Sequence, residues 1–206
     1  MKTPLMLFTL SLVTGCNTFP LHTDIFLKDT VNAVVNTPRS SSVVHEDESS
    51  NQPVINVEPT LVRPQIFLMM RDQAEDSKEA HEKQKVIYNN MDYILKKNNL
   101  QPVGCPAAWH TIKPNLFVVE AGIPLAKKLR NKEDNTYYKE TRRCKAVVAH
   151  FFGKRSLLPR AYDSLNVWLK ENHQTAIGTP WEVYVSDPRI VKDHDFLQTD
   201  IYTQAR

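Results

Sequence analysis

A carboxylate and a phenol on one face of a single predicted strand are the residues of this chain best placed to do chemistry. The strand is the run PWEVYVSDP at residues 180–188, which is bounded by prolines and rich in β-forming residues. Strand side chains alternate between faces, so Glu182 and Tyr184 share one face, whereas Trp181 and Val183 share the other. A desolvated carboxylate beside aromatic rings can bind a cation or act as a general base.

An internal repeat indicates which elements must position this strand. When the sequence is shifted by 74 residues and compared with itself, matching residues recur in the same order and spacing. The matched pairs are Tyr88 with Tyr162, Met91 with Leu165, Leu95 with Leu169, Lys96 with Lys170, Asn98 with Asn172, Val103 with Ile177, Gly104 with Gly178, Pro106 with Pro180 and Pro114 with Pro188. Such a repeat is typical of a repeated supersecondary unit.

Each copy of the repeat predicts the order strand, helix, strand, strand. Apolar residues at helical spacing predict helices over residues 77–98 and from Pro159 onward. Strands are predicted over residues 65–71, 107–113, 115–125, 145–152, 181–186 and 197–204. We therefore expect an α+β fold in which duplicated β-α-β-β units form one antiparallel sheet, with two helices on one face and a concave ligand face on the other.

The helices assign the predicted faces of the sheet. Because helices must cover an apolar face, Trp181 and Val183 are expected beneath them. Glu182 and Tyr184 then point to the open face, where the same register places His110 from the first copy. The predicted ligand-binding residues are Glu182, Tyr184, His110, Phe152 and Leu157. A surface position for His110, and core positions for Phe152 and Leu157, remain the alternatives.

Several C-terminal motifs resemble the second half of GyrI-like, AraC-type effector-binding domains. They are HFFG at residues 150–153, LPRAYDSL at 158–165, PWEVY at 180–184 and TDIY at 199–202. The first half is similar more loosely, through FVVEAGIP at residues 117–124. The resemblance covers residues 61–206. It implies the duplicated fold and a pocket for small, often aromatic or cationic molecules with a central acid, to which Glu182 corresponds.

The chain departs from this family pattern just after Gly153. The family often has an aromatic residue there, whereas this chain has Lys154 and Arg155. Two cations at this place can neutralise Glu182, or favour an anionic or amphipathic ligand. Family members that regulate transcription carry DNA-binding helices, but a signal and a tether are predicted ahead of this domain. With a formal net charge of only +3, no nucleic-acid partner is expected.

Three functions are weighed for this chain. The first is binding of a small aromatic or amphipathic molecule at Glu182. The second is hydrolysis of a small electrophilic compound with Glu182 as general base, and the third is a non-catalytic structural module of the cell envelope. The sequence carries no nucleophile triad, metal-ligand cluster or phosphate loop, so ligand binding ranks above an enzyme, and no cofactor or metal is expected.

The N-terminus predicts export and a lipid anchor. Residues 1–15 combine a basic start with a short apolar run, which is typical of a signal peptide and too short to span a bilayer. The run ends in VTGC at residues 13–16, which resembles a bacterial lipobox, so lipidation of Cys16 is predicted. Asn17 favours the outer membrane, facing the periplasm. An ordinary secretory signal with a chance cysteine is the alternative.

Composition divides the mature chain into a tether and a folded domain. Residues 38–59 are rich in Ser, Asn, Pro and acids, whereas residues 24–35 carry apolar residues that can form one short helix. We interpret residues 16–60 as a lipid-anchored flexible tether. Residues 61–206 form the predicted effector-binding domain, with repeats at about residues 61–126 and 143–206. Cys105 and Cys144 form either a disulfide, which export permits, or two free thiols. The oligomeric state is left open.

Overall fold

The computed structural model describes residues 52–114, 116–131, 133–186, 191 and 197–206. The predicted signal peptide over residues 1–15, the lipidation of Cys16 and the tether as far as residue 51 lie outside the described residues. Within the described part of the chain, neither helix is long and apolar enough to cross a membrane.

Eight antiparallel strands form one curled sheet that carries two helices. The strands are β1 (Val54–Val62), β2 (Ile66–Ala74), β3 (Ala107–Lys113), β4 (Leu116–Leu125), β5 (Tyr137–Glu140), β6 (Cys144–Phe152), β7 (Ala176–Tyr184) and β8 (Gln198–Ala205). The helices are α1 (Ser77–Lys97) and α2 (Pro159–Glu171). The strand order across the sheet is β1-β6-β8-β7-β3-β4-β2-β5. The predicted α+β fold with one antiparallel sheet is confirmed.

The two sequence repeats form equivalent halves of this sheet. One half is β2-α1-β3-β4, the other is β6-α2-β7-β8, and they meet where β3 pairs with β7. Both helices end in the same way. The amides of Asn98 and Asn172 each donate to the carbonyl four residues earlier, at 2.9 and 2.8 Å, and the residues that follow, Asn99 and His173, have φ angles of 50° and 52°. The sequence repeat is therefore also a structural repeat.

Local chemistry explains where each helix begins. The Asp76 side chain accepts a hydrogen bond from the backbone N–H of Glu79 at 2.7 Å, and the Glu79 carboxylate accepts one from the backbone N–H of Glu75 at 2.8 Å. The pair resembles a capping box, except that the returning bond reaches Glu75, the residue before the N-cap Asp76. The Asp76 side chain satisfies one N–H group at the start of α1. Pro159 opens α2, where its missing N–H costs nothing.

Both helices cover the same face of the sheet. The core beneath α1 contains Leu68, Ala80, Ile87, Met91, Ile94, Leu95, Ala108, Val119, Ala121 and Ile123. The core beneath α2 contains Val147, Ala149, Phe151, Leu158, Ala161, Leu165, Leu169, Ile201 and Ala205. The strand register joins these two cores through Glu182, which lies opposite both Ala108 and Ile201.

The faces predicted for β7 are wrong. Trp181 stacks between Trp109 and Tyr202, with ring centroids 6.1 and 5.4 Å apart, on the face that the helices leave uncovered. Tyr184 instead packs against the core beneath α1, and Glu182 bonds to a side chain of α2. The reason is that both faces of this curled sheet bury apolar side chains. The more apolar face of a strand therefore does not identify the helix side.

Two edge strands lie where the sequence predicted none. The boundary predicted at residue 61 falls inside β1, which pairs with β6 and turns Ile55 and Val57 towards the core beneath α2. The segment between the two predicted repeats, residues 127–142, contains β5, which pairs with β2. Both strands adjoin polar and charged residues, so an average over each segment hides the apolar residues of β1 and the two tyrosines of β5.

A disulfide between Cys105 and Cys144 is excluded. Cys144 is a free thiol at the start of β6. Cys105 precedes β3, and β7 and β8 lie between β3 and β6 in the sheet. Three strand spacings of about 4.8 Å place the two cysteines far beyond the roughly 7 Å that a disulfide spans between Cα atoms.

Met91 tests the core beneath α1. Its side chain has 0% exposure, so Met91→Ala should lower the free energy of unfolding by about 2–5 kcal/mol, through lost burial and the cavity left behind. Val86→Ala on the exposed side of the same helix is the control, because Val86 is 51% exposed, and its effect should stay below about 0.5 kcal/mol. Equal losses in chemical denaturation would contradict the assignment of the buried face.

Candidate functional site

Glu182 is a buried carboxylate at the junction of the two repeats. It lies on β7 with only 5% of its surface exposed. Its neighbour Ala108 on β3 belongs to the core beneath α1, and its neighbour Ile201 on β8 belongs to the core beneath α2. The carboxylate therefore lies between the two helical halves, where each repeat can supply partners.

Two tyrosines donate hydrogen bonds to this carboxylate. The Tyr184 hydroxyl donates to Oε2 of Glu182 at 2.6 Å, and the Tyr162 hydroxyl of α2 donates to Oε1 at 3.0 Å. Tyr184 is two residues along the same strand, so alternation places it on the same face. Burial raises the pKa of the Tyr162 phenol, and the Glu182 charge raises it further, so the phenol stays protonated and remains a donor.

Arg155 brings a positive charge to the same place. It belongs to a short 3₁₀ turn, Arg155–Leu157, between β6 and α2. One guanidinium nitrogen lies 3.4 Å from Oε2 of Glu182 and 3.3 Å from the Tyr184 hydroxyl. The guanidinium carbon also lies 5.0 Å from the centre of the Tyr184 ring, which is a cation–π distance. The sequence suggested that a cation after Gly153 can neutralise Glu182, and Arg155 is the cation that lies beside it.

The charge of Glu182 is stabilised by these partners. Burial alone raises the pKa of its carboxyl group. The positive Arg155 and the hydrogen bonds from Tyr184 and Tyr162 outweigh that effect, so the pKa of Glu182 lies below its usual range. The site therefore holds an ionised carboxylate at neutral pH.

Two histidines border the site without adding charge. His110 Nε2 lies 3.8 Å from Oε2 of Glu182, and burial lowers the pKa of His110, with Arg155 acting in the same direction and Glu182 opposing. Burial, followed by the charges of Arg155 and Lys85, lowers the pKa of His81 on α1 to about 4. Both imidazoles are therefore neutral at pH 7.

The first helix contributes an amide with one unused acceptor. The Gln84 side chain donates from Nε2 to the Tyr184 hydroxyl at 2.9 Å and is 5% exposed. Among the described residues, Gln84 Oε1 and His110 Nε2 are the buried side-chain atoms with no hydrogen-bond partner. Unpaired buried polar atoms are costly, so a hydrogen-bonding molecule that reached both would gain from them.

The structure brings together only part of the predicted site. Glu182, Tyr184 and His110 meet as predicted. Leu157 packs against the core beneath α2. Phe152 follows Phe151, which belongs to that core, so alternation along β6 turns Phe152 to the opposite face from Glu182. The structure thus does not bring Phe152 to the face of Glu182, and it places Leu157 against the core, which is the alternative given for it; a pocket-wall role for either residue stays a prediction.

The repeat already contained the signal for the residues that sequence reasoning missed. The repeat pairs Tyr162 with Tyr88, its equivalent 74 residues earlier. Tyr88 donates to the Ala107 carbonyl at 3.0 Å and meets the Tyr184 ring edge-to-face at 6.3 Å, whereas Tyr162 binds Glu182. The same shift pairs His81 with Arg155. Equivalent polar residues in both copies therefore mark the shared junction.

A separate open cavity lies on the other face of the sheet. It has a volume of about 390 Å³ and is lined by Arg71, Glu120, Asn135 and Tyr137. The Glu120 carboxylate accepts hydrogen bonds from the Tyr137 hydroxyl at 2.6 Å and from Lys139 at 3.1 Å, so its negative charge is already paired. In the described part of the chain, no group of three or more His, Cys, Asp or Glu side chains is arranged to hold a metal ion.

Comparison with known proteins identifies the fold. No protein-family profile and no curated protein matches the sequence. The crystal structure of the EcmrR C-terminal domain aligns with a TM-score of 0.64 at 18% identity, covering 74% of this chain and 98% of that one. EcmrR in its cryo-EM complex with DNA aligns at 0.63 and 19% identity, but this chain spans only 57% of that chain. The chain therefore has the fold of the EcmrR C-terminal domain.

A ligand-bound structure shares this fold more distantly. SAV2435 bound to tetraphenylphosphonium aligns with a TM-score of 0.51 at 7% identity, covering 73% of this chain and 94% of that one. At this identity the likeness concerns the fold alone.

His81 should make stability depend on pH. Its pKa is about 4 in the folded protein and about 6.5 when unfolded, so the stability it contributes is complete above pH 6.5 and is lost as the pH falls through 4. Compared with His81→Gln, the wild type should lose about 1–2 kcal/mol over this interval, after allowance for partial solvent exposure. Urea denaturation at several pH values measures this difference.

The matched control is His173→Asn, which alters an exposed histidine just after α2. The wild type and His173→Asn should show the same pH dependence. A difference between wild type and His81→Gln that stays constant from pH 7 to pH 4 would contradict the assignment.

Proposed function

We propose that this protein binds a small aromatic or amphipathic molecule at the site centred on Glu182, as a lipid-anchored protein of the bacterial cell envelope. One observation carries the binding proposal. An ionised, buried carboxylate lies between two helices with aromatic side chains around it, and two buried polar atoms beside it, Gln84 Oε1 and His110 Nε2, lack partners. Ligand sites commonly combine a few convergent polar groups with apolar and aromatic walls.

The shared fold supports the same proposal. SAV2435, which aligns with most of this chain, has been solved with tetraphenylphosphonium bound. The junction of the two repeats offers this chain aromatic rings and polar groups that suit an aromatic molecule, whose charge preference the groups beside Glu182 would set. The GyrI-like motifs in the sequence favour the same function, since that resemblance implies a pocket with a central acid.

General-base catalysis receives less support than binding. A general base works best with a pKa near the operating pH. Burial raises the pKa of Glu182, but Arg155 and the tyrosine hydrogen bonds lower it below its usual range. A carboxylate held in this way is a weak base, so it is better suited to orienting a ligand than to removing a proton.

Ligand binding can be tested with hydrophobic aromatic probes of different charge. We expect at least one probe to raise the thermal midpoint of the full-length protein and to give a measurable Kd by titration calorimetry. Glu182→Gln should weaken that binding at least tenfold, because the carboxylate that accepts hydrogen bonds at the centre is lost. Glu171→Gln changes an exposed acid at the end of α2 and should stay within twofold of the wild type.

Two results would count against binding at Glu182. One is an absence of any probe-dependent shift in the wild type. The other is a shift of equal size in wild type and Glu182→Gln, which would move the binding site elsewhere, with the cavity at Glu120 as the next place to examine.

The lipid anchor needs a separate test. Cys16 follows the lipobox-like residues VTG, and it is the only residue there whose side chain can form a thioether. In a bacterial host fed with a clickable palmitate analogue, the wild-type chain should incorporate label and fractionate with membranes. Cys16→Ser should lose all label, whereas Cys144→Ser should keep it. Label in Cys16→Ser would refute the proposed attachment.

A further inference from the structure

Arg155 occupies the position that a cationic group would take in this site. A carboxylate beside the face of an aromatic ring attracts cations, and Glu182 and Tyr184 provide that pair. The guanidinium lies 3.4 Å from the carboxylate and 5.0 Å from the ring centre. The protein has therefore placed one of its own cations between the two groups.

This guanidinium is held more loosely than the other partners of Glu182. Its contacts of 3.4 and 3.3 Å are long for hydrogen bonds to a charged group, which are usually about 2.7–2.9 Å. Tyr184 and Tyr162 hold the carboxylate at 2.6 and 3.0 Å. The Arg155 side chain is 35% exposed, whereas the Glu182 side chain is 6% exposed. We therefore expect the carboxylate to keep its hydrogen bonds from Tyr184 and Tyr162 when Arg155 is substituted.

The backbone of a short turn holds Arg155 beside the site. The turn Arg155–Leu157 has no side-chain cap and is closed by the backbone bonds from Leu157 to Lys154 at 2.9 Å and from Leu158 to Arg155 at 3.1 Å. Gly153 ahead of it has a φ of 155°. These bonds fix the start of the Arg155 side chain beside the site, and its guanidinium contacts Glu182 and Tyr184 from there.

The charges around the site cancel. Glu182 is negative, Arg155 is positive, and His81 and His110 are neutral at pH 7. Arg155 would repel a cationic ligand, and Glu182 would repel an anionic one, because charges interact strongly where little water is present. A neutral molecule meets neither repulsion and can still satisfy the unpaired Gln84 Oε1 with a donor.

We propose that Arg155 determines the ligand specificity of this site, because its guanidinium takes the place beside Glu182 that a cationic ligand would take. The ligand class that follows is a neutral aromatic molecule with a hydroxyl or amide donor. Organic cations are excluded while Arg155 is in place, and they bind when it is removed. The inference rests on the proposed function, since it concerns the charge preference of the same site.

Three hydrophobic probes of similar shape and different charge test the inference. They are triphenylmethanol, which is neutral with one donor, tetraphenylphosphonium, which is a cation, and tetraphenylborate, which is an anion. Their Kd values are measured by titration calorimetry on the full-length wild type, Arg155→Gln, Arg155→Lys, and Arg155→Gln combined with Glu182→Gln. Arg155→Met, which keeps an aliphatic stem, replaces the Gln variant where that variant does not fold by circular dichroism.

The wild type should bind triphenylmethanol at least tenfold more tightly than tetraphenylphosphonium. Arg155→Gln should bind tetraphenylphosphonium at least tenfold more tightly than the wild type does, and the added Glu182→Gln should abolish that gain. Arg155→Lys should keep the wild-type preference, because it keeps the charge. Tetraphenylborate should gain nothing from Arg155→Gln.

Two outcomes overturn the inference and are distinguishable from each other. If the wild type binds a probe in a Glu182-dependent way, but tetraphenylphosphonium binds wild type and Arg155→Gln equally, the specificity role of Arg155 is refuted and the proposed function stands. If no probe binds the wild type or any variant, the proposed function itself fails, and the inference fails with it.

Discussion

The buried charge of Glu182 is the constraint on which the arrangement of the two helices depends. An isolated carboxylate in a protein interior costs several kcal/mol, so it must be surrounded by donors or cations. Here the donors come from three separate elements: Tyr184 on β7, Tyr162 on α2 and Arg155 on the turn between β6 and α2. α1 holds the network from the other side through Gln84. Displacement of either helix would leave part of this network unpaired.

Much of the fold could be predicted from sequence, because the repeat doubled each local signal. Helix α1 begins at Ser77 and strand β3 covers Ala107–Lys113, both as predicted. Asn98 and Asn172 match in sequence, and both close a helix through the same side-chain bond. The edge strands β1 and β5 lie outside the matched repeat, and the polar and charged residues beside them dominated the average composition from which a tether and a connector were inferred.

The candidate site was predicted in part, and its failures have one physical origin. Glu182, Tyr184 and His110 were found from alternation along strands, which holds on either face of a sheet. The face itself was assigned by assuming that only one side is apolar. Trp181 shows why this failed, since it packs in an aromatic row with Trp109 and Tyr202 that fills the other side. The partners from α2 and α1 depend on tertiary packing, which no local pattern contains.

The placement of the site at the junction has a consequence for how a duplicated protein specialises. A site on the axis between two copies exists once, so each copy supplies only half of it and the halves can diverge. Ala108 is the equivalent of Glu182, His110 of Tyr184, and His81 of Arg155. One copy now holds the acid and its cation, and the other holds neutral groups. Duplication thus provided two matching frameworks and a single asymmetric centre. One half supplies the charged groups, and the other half supplies neutral groups that can set the shape and hydrogen bonding of the site.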